Sequence, residues 1–242
     1  MKRLHFIVGP TTTGKTRRSV TLAEQTGAPV IVLDRIQCFP DLAVGSGRPG
    51  VDELRSTRRI YIGDRKVADG ELPAATANAL LHEHIARLFQ KESLLILEGG
   101  SVSLLRTIAA DSRWEAYEQT WERLALQEVA GYLTNAKSRI RAMLAPSDGS
   151  RSMLDEIAGM WPDAATHAVL NGIVGYRSII ACASRYRIPV GSLAHALSPD
   201  QFEQLVHDIA GEYLVYARWQ ERELPVLSDR SIRSFAVPEV ET

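Results

Sequence analysis

A stretch of eight residues, 9 to 16, constrains this chain more than any other part. It reads Gly-Pro-Thr-Thr-Thr-Gly-Lys-Thr and matches the pattern G-x-x-x-x-G-K-[ST] without a mismatch. An apolar run at residues 4–8 predicts a buried strand before it, and residues 16–25 predict a helix after it. The glycines let the loop wrap with its backbone N–H groups facing inward, and these groups and the helix N-terminus form an anion site. Lys15 would add a positive charge at the terminal phosphates, and the Thr16 hydroxyl would hold Mg²⁺.

A phosphate loop of this kind does not specify the reaction. Kinases, NTPases and some transferases share it, so the reaction must be inferred from the rest of the site. The alternative is a chance match in a turn rich in threonine and glycine. The strand before the motif and the helix after it argue against that alternative.

The first half of the chain alternates predicted strands and helices. Apolar runs predict strands at residues 4–8, 29–33, 94–97 and 121–126, and helical spacing is found at 74–90 and 102–110. Residues 41–59 are polar and predict a loop that leads into a short helix. Continuous apolar strands that alternate with helices indicate a parallel sheet covered on both faces. We therefore expect an α/β fold with a P-loop NTPase-like parallel sheet of about five strands flanked by helices.

After residue 132 the pattern becomes helical, with predicted helices at residues 133–144, 153–161, 175–186 and 199–222. Ser198-Pro199-Asp200 is a helix start signal. The predicted organisation is an α/β nucleotide-binding core at residues 1–132 and a smaller helical C-terminal lobe at 133–224, packed on the core. A polar tail with two prolines at 225–242 is expected to be loose.

Composition narrows the classes of function. The net charge of −1 disfavours a large polynucleotide partner, because nucleic-acid-binding proteins usually carry a basic excess. The two cysteines, Cys38 and Cys182, suggest a reducing compartment and no disulfide framework. No segment has 18 consecutive apolar residues, so no transmembrane helix is expected and a cytoplasmic protein is predicted.

Candidate site residues follow the predicted strands. Asp34 ends the second strand, and Glu98-Gly99-Gly100-Ser101 ends the third. Ligands of parallel sheets bind outside the carboxyl ends of the strands, so these residues should converge with the phosphate loop. Asp34 could accept a proton from an exocyclic amine, or it could be a loop cap or a Mg²⁺-associated carboxylate. Gln37 offers a donor and an acceptor to a base or to Asp34.

Two weaker candidates lie outside these strand ends. The second glycine-bearing loop, Gly45-Ser46-Gly47-Arg48-Pro49, suits a phosphate or carboxylate, although a solvated turn is its commoner meaning. Lys137, Arg139 and Arg141 form a basic helix face. Such a face usually lies in solvent, but one of its cations could reach over a pyrophosphate.

The combination of these motifs resembles the bacterial adenylate isopentenyltransferases, the enzymes of cytokinin synthesis in plant-associated bacteria. The wider relative is the tRNA dimethylallyltransferase family, which shares the Gly-Pro-Thr loop and an Asp-x-x-Gln after the second strand. The resemblance covers nearly the whole chain up to about Glu223. It is carried by residues 9–16, Leu33-Asp34-Arg35-Ile36-Gln37, Gly45-Ser46-Gly47-Arg48-Pro49, Ser56-Thr57-Arg58-Arg59-Ile60-Tyr61, Leu97-Glu98-Gly99-Gly100-Ser101, Leu133-Thr134-x-Ala136-Lys137-x-Arg139, Gly175-Tyr176-Arg177 and Ile209-Ala210-x-Glu212-Tyr213-Leu214.

The resemblance implies a prenyl transfer in which the N6 amine of AMP attacks C1 of an allylic diphosphate and pyrophosphate leaves. The phosphate loop then holds the diphosphate of dimethylallyl diphosphate, with Mg²⁺ on Thr16. By resemblance, Thr11 donates to the bridging oxygen, Asp34 accepts the N6 proton, and Lys15 and Arg139 stabilise the leaving pyrophosphate. Ser46 and Arg48 belong to the acceptor side, and Tyr213 helps to hold the donor diphosphate. The remaining substrate-binding residues implied are Gly9, Thr12, Thr13, Gly14, Gln37, Gly100, Ser101, Val174 and Tyr216.

Two positions depart from relatives that use a hydroxylated donor. Those relatives have an Asp just before the Gly-Tyr-Arg and a His three residues after the Tyr that matches Tyr213, where this chain has Val174 and Tyr216. Val174 cannot hydrogen-bond a terminal hydroxyl, and burying that hydroxyl unpaired costs about 1–3 kcal/mol. We therefore expect dimethylallyl diphosphate to be preferred, unless Tyr216 supplies the missing contact.

Three functions remain to be compared. Prenylation of free AMP is favoured. A tRNA-modifying prenyltransferase would need a large helical insertion and a basic surface, and residues 98–139 contain no insertion rich in Lys or Arg. A P-loop small-molecule kinase or a non-catalytic nucleotide-binding module is disfavoured by Gly-Pro-Thr and by residues 34–37. The residues alone do not distinguish AMP from ADP or ATP, nor do they give the oligomeric state; the resemblance points to AMP.

Overall fold

The computed structural model describes residues 2–126 and 128–224. Within these residues a five-stranded sheet consists of β1 (Arg3–Val8), β2 (Val30–Leu33), β3 (Arg59–Ile60), β4 (Leu94–Gly99) and β5 (Glu118–Arg123). The strand order is β3-β2-β4-β1-β5, and all four pairings are parallel. The predicted α/β class and parallel sheet are confirmed.

The central strands are buried because both faces of the sheet are covered. Side chains alternate along each strand. Ile7 of β1 and Val30 of β2 pack in a small cluster with residues from the first helix, α1 (Lys15–Thr26). The neighbouring residues Phe6 and Ile31 point into the large core on the other face. This explains why the central strands are almost continuously apolar in sequence.

The edge strands were predicted less well. Strand β5 begins at Glu118, three residues before the predicted start, and its side chains are half-buried or exposed. An edge strand has one neighbour and a wetter surface, so its first residues, Glu118, Gln119 and Thr120, are polar and lie outside the run that predicted it. The two-residue strand β3 was missed, because Arg59 and Ile60 lie at the end of a polar segment.

Three further helices belong to the first half of the chain: α2 (Val51–Leu54), α3 (Ala74–Leu88) and α4 (Val102–Ala110). The predicted long helices at 74–90 and 102–110 are confirmed with ends shifted by at most two residues. The second half contains α5 (Val129–Leu144), α6 (Met153–Met160), α7 (His167–Gly172), α8 (Tyr176–Tyr186), α9 (Leu193–Ala196) and α10 (Pro199–Glu223).

Helix α10 begins where its sequence signal placed it. Ser198 is the N-cap and its hydroxyl accepts from the backbone N–H of Gln201, while the Gln201 side chain accepts from the backbone N–H of Ser198. This reciprocal pair is a capping box, and Pro199 at the first helical position reinforces it. The helix packs against α5 and α8.

One continuous buried cluster joins the two halves of the chain. It includes Phe6 and Leu97 of the sheet together with Ile140 of α5 and Ile209 of α10. Helix α5 also begins at Val129, before the predicted boundary at residue 132. The division into a core at 1–132 and a lobe at 133–224 stays a prediction, and the predicted tail at 225–242 lies outside the described residues. No helix in the described part of the chain is long and apolar enough to cross a membrane.

Candidate active site

A cavity of about 770 Å³ opens at the carboxyl ends of β1, β2 and β4. The register explains the convergence: Leu33 of β2 and Val8 of β1 both pair with Gly99 of β4, so the three strands end at the same level. The loops that follow them carry the phosphate motif, Asp34 and Gly100. The predicted site residues that line the cavity are Thr11, Thr12, Gly14, Lys15, Thr16, Asp34, Gln37, Ser46, Gly100, Ser101, Arg139, Val174, Tyr213 and Tyr216.

Three predicted residues do not contribute to the cavity lining. Gly9 lies where a Cβ would collide with the carbonyl oxygen of Leu124, so it allows the loop to pass close to the backbone after β5. The Thr13 hydroxyl donates to the Pro10 carbonyl at 2.8 Å. The Arg48 guanidinium donates to the carbonyl oxygen of Gln37 and lies over the Tyr61 ring. These three residues therefore support the loops around the cavity in this structure.

The phosphate loop is folded around the Pro10 carbonyl. Lys15 Nζ donates to that oxygen at 2.6 Å, and Gly14 caps α1 with a φ of 87°. No side chain in the described part of the chain caps this helix N-terminus, so its first N–H groups remain suited to an anion. Burial lowers the pKa of Lys15, while the negative charges of Glu98 and Asp34 oppose this shift. A polyanion bound here would favour the charged lysine further.

Asp34 lies directly after β2 with its carboxylate held by backbone groups. One carboxylate oxygen accepts from the N–H of Ile36 at 2.8 Å and from that of Gln37 at 3.3 Å. Burial raises the pKa of Asp34, and these two hydrogen bonds oppose the shift. A carboxylate that is fixed in place and destabilised by burial is a better proton acceptor than one in water.

The second glycine loop, residues 45–49, and the residue before it are fixed from several directions. Gln37 Nε2 donates to the Ser46 carbonyl at 3.2 Å, and Arg139 Nη2 donates to the Gly47 carbonyl at 3.3 Å. On its other side, the buried Glu156 accepts from the backbone N–H groups of Val44 (2.8 Å) and Gly45 (2.9 Å). The loop thereby connects the Asp34 segment with helices α5 and α6.

A buried ion pair stands behind the phosphate loop. Glu98, near the end of β4, accepts from Arg59 Nη2 at 2.5 Å and from the Ser19 hydroxyl at 3.3 Å. The Arg59 and Glu98 side chains are only 2% and 5% exposed. Glu98 also lines the cavity, and its negative charge acts on Lys15 as well as on Arg59.

The helical half of the chain supplies a mainly apolar wall. Met143, Ile173 and Val174 line it together with the rings of Tyr213 and Tyr216. Burial raises the pKa of Tyr213, and it raises that of Tyr216 to about 12, so both hydroxyls stay protonated at neutral pH. The cavity therefore combines an anion-binding loop with an apolar wall, which suits a ligand with an anionic head and an apolar tail.

A family model described as "Isopentenyl transferase" matches residues 2–234. The chain belongs to the isopentenyl transferase family. It is similar to the adenylate dimethylallyltransferase of Ralstonia solanacearum, with 47% identity over 222 residues, covering 91% of this chain and 93% of the relative. The adenylate dimethylallyltransferase of Pseudomonas savastanoi is 39% identical over 234 residues, covering 96% of this chain and all of the relative.

Solved structures share the fold at much lower identity. The full-length tRNA isopentenylpyrophosphate transferase of Bacillus halodurans superimposes with a TM-score of 0.68 at 15% identity, covering 93% of this chain and 86% of that one. The corresponding transferase of Staphylococcus epidermidis gives a TM-score of 0.65 at 14% identity, covering 93% and 92%. At these identities the likeness establishes the fold alone.

This isopentenyl transferase has site residues that sequence patterns did not single out. The most prominent is Gln220 of α10, which is buried against the phosphate loop and bonds Thr11 and Gly100. A polar residue three positions after the buried Ala217 and seven after the buried Tyr213, on the same helix face, could have drawn attention to it. Other charged residues that line the cavity and were not predicted are Arg17, Arg35, Asp52, Glu53, Arg55 and Glu71.

Proposed function

We propose that this isopentenyl transferase transfers a dimethylallyl group from dimethylallyl diphosphate to the N6 amine of AMP and releases pyrophosphate, the reaction that forms a cytokinin nucleotide. Asp34 and the phosphate loop face one cavity, in a chain that is 47% identical over nearly its full length to an adenylate dimethylallyltransferase. This combination supports the assignment most strongly. A phosphate loop without a carboxylate opposite it would fit many other reactions.

The phosphate loop holds the donor diphosphate in this proposal. The loop amides and the start of α1 face the anion, and Lys15 leaves the Pro10 carbonyl to contact it. Arg139 approaches the same region from α5, because it lines the cavity and its positive charge helps to lower the pKa of Lys15. Thr11 donates to the oxygen that bridges C1 and the diphosphate. These donors act most strongly as negative charge builds up on the leaving group.

Asp34 acts on the acceptor. The bond between C1 and the bridging oxygen breaks, the bond between N6 and C1 forms, and the N6 proton passes to the Asp34 carboxylate. An aryl amine is a weak nucleophile, so holding it in line with C1 matters as much as removing its proton. The two backbone hydrogen bonds to Asp34 fix the carboxylate for this purpose. Ser46 lies close by, on the loop that contacts Gln37.

Mg²⁺ is proposed as the cofactor. The Thr16 hydroxyl and the Glu98 carboxylate both line the cavity and offer oxygen ligands, either directly or through water. A magnesium ion that is bound mainly by substrate phosphates and water needs only one or two protein oxygens. When bound, the ion would neutralise charge on the departing pyrophosphate.

The apolar wall favours the unsubstituted donor. The side chains of Val174 and Ile173 offer no hydrogen bond to a terminal hydroxyl, and Tyr213 and Tyr216 carry the hydroxyl groups on the α10 side of the cavity. We therefore propose that dimethylallyl diphosphate is preferred over its 4-hydroxylated analogue by roughly 10- to 100-fold, which corresponds to one buried hydroxyl left unpaired.

A competition assay tests the proposed reaction. Purified protein is incubated with Mg²⁺, dimethylallyl diphosphate and an equimolar mixture of AMP, ADP, ATP and unmodified tRNA, and the products are identified by mass spectrometry. We expect prenylated AMP to dominate and to disappear with Asp34→Ala. Prenylated tRNA beside unchanged AMP would assign the chain to tRNA modification. The absence of any prenyl product would contradict the proposal and favour a P-loop kinase or a non-catalytic nucleotide-binding module.

A further inference from the structure

The side chain of Gln220 joins α10 to two loops of the core. Its Oε1 accepts from the backbone N–H of Thr11 at 2.8 Å, and its Nε2 donates to the Gly100 carbonyl at 2.8 Å. The residue is only 3% exposed. The orientation of the amide is determined by its partners, because the Thr11 N–H can only donate and the Gly100 carbonyl can only accept.

Gln220 lies on the helix face that forms part of the cavity wall. Tyr213, Tyr216 and Gln220 all line the cavity and are spaced by three and four residues, which places them on one face of α10. The two tyrosines contribute to the substrate wall. Gln220 is the position on this face that reaches the backbone of the phosphate loop.

The peptide unit between Pro10 and Thr11 is held at both of its polar ends. Its carbonyl oxygen accepts from the Thr13 hydroxyl (2.8 Å) and from Lys15 Nζ (2.6 Å). Its N–H donates to Gln220. When a diphosphate draws Lys15 away from the Pro10 carbonyl, the bonds from Thr13 and to Gln220 remain. Rotation of this peptide plane would redirect the Thr11 side chain.

We propose that Gln220 is a positioning residue for prenyl transfer, which fixes the Pro10–Thr11 peptide and so aims the Thr11 hydroxyl at the bridging oxygen of the donor. This inference rests on the proposed function and deepens it. Gln220 does not touch the reacting atoms and acts through Thr11. Its bond to Gly100 keeps the amide in place, so the two hydrogen bonds work together.

The test compares matched glutamine variants on one helix. Gln220→Met keeps the length and burial of the side chain and removes both hydrogen bonds. Gln220→Glu keeps the acceptor for Thr11 and removes the donor to Gly100. Gln204→Met is the control, because Gln204 is exposed on α10, donates to Asp208 and does not line the cavity. We measure kcat and KM for both substrates, and we measure pyrophosphate affinity by calorimetry.

A small misplacement of a reacting group costs up to about 100-fold in rate. We expect Gln220→Met to lower kcat by roughly 10- to 100-fold while the KM for AMP changes less than about twofold. The kcat of Gln220→Glu should lie between the kcat values of Gln220→Met and the wild type. When Gln220→Met is added to Thr11→Ala, kcat should fall by less than about twofold below that of Thr11→Ala alone, since the hydroxyl that Gln220 positions is already missing. Gln204→Met should behave as the wild type.

Two results would overturn the proposal. The first is an equal loss of kcat with and without the Thr11 side chain, which would show that Gln220 acts independently of Thr11. The second is a loss of rate that matches the fraction of unfolded protein in a thermal melt. The affinity for pyrophosphate distinguishes a failure of the positioning proposal from a failure of the proposed reaction, because it can be measured without turnover. If the wild type does not prenylate AMP, a roughly tenfold weaker affinity in Gln220→Met still supports loop positioning, and unchanged affinity rejects it.

Discussion

Replacing Glu156 with alanine should be among the most damaging single changes outside the cavity lining. The Glu156 carboxylate is 1% exposed and accepts from the N–H groups of Val44 and Gly45 and from the Tyr176 hydroxyl. Each buried donor that loses its partner costs about 1–3 kcal/mol. Three such donors give about 3–9 kcal/mol, and water that enters the vacated space recovers part of this cost. We expect a loss of about 4 kcal/mol, a large fraction of the stability of an ordinary domain.

Tyr176→Phe provides the matched control for this change. It removes one of the three hydrogen bonds, leaves both backbone bonds to Glu156, and should cost about 1.5 kcal/mol. Burial and the adjacent Glu156 carboxylate raise the pKa of Tyr176, so its hydroxyl donates over the whole working range of pH. In a chain of this size, the two losses correspond to a lower Tm by roughly 12 °C for Glu156→Ala and 4 °C for Tyr176→Phe.

Thermal melts followed by circular dichroism measure these shifts, and kinetics at 15 °C measure the effect on the site. Because the Glu156 network fixes the loop that carries Ser46, Glu156→Ala should raise the KM for AMP more than the KM for the donor. Equal Tm values for Glu156→Ala and Tyr176→Phe would refute the reasoning from unsatisfied donors. An unchanged KM for AMP would refute the link between this loop and the acceptor.

Three more outcomes are expected. Burial raises the pKa of Asp34, so the folded chain binds that proton more tightly than the unfolded chain, and stability from this residue falls as pH rises between the two pKa values. Asp34→Asn should therefore lower kcat about 100-fold or more without lowering the Tm at pH 7.5, and a retained rate would reject Asp34 as the base. Chelation by EDTA should stop turnover, and Thr16→Val should raise the Mg²⁺ concentration for half-maximal rate; full activity in EDTA would contradict the metal assignment. Val174→Asp should improve the use of the hydroxylated donor relative to dimethylallyl diphosphate by roughly 10-fold, measured as a ratio of kcat/KM values, and an unchanged ratio would remove Val174 as the selecting residue.

Sequence patterns predicted the parts of the fold that depend on local signals. The phosphate motif determined the first strand, the loop and α1, since glycine spacing and a flanking apolar run are visible in adjacent residues. Strand β4 and helix α4 followed from the same kind of signal. Strand β5 was shifted because a half-exposed edge strand carries polar residues, and β3 is too short to leave a pattern.

The contacts between distant segments could not be predicted in the same way. Gln220 and Thr11 are 209 residues apart, and Glu156 and Val44 are 112 residues apart. Helical spacing shows which face of a helix is buried, but it does not show which loop a buried polar side chain will meet. The Arg59–Glu98 pair was missed for a related reason: Arg58 and Arg59 are adjacent in sequence, and only the structure shows which one turns inward.

The contact between Gln220 and Thr11 has a consequence for how the enzyme is made. The ribosome delivers Thr11 of the phosphate loop 209 residues before Gln220, and α10, with Tyr213, Tyr216 and Gln220, follows the whole sheet in the chain. The cavity wall can therefore be completed only after α10 has been synthesised, although the sheet and the anion-binding loop come much earlier in the chain. Fragments that stop before α10 lack the side chain that bonds Thr11 and Gly100, and they should not transfer a prenyl group.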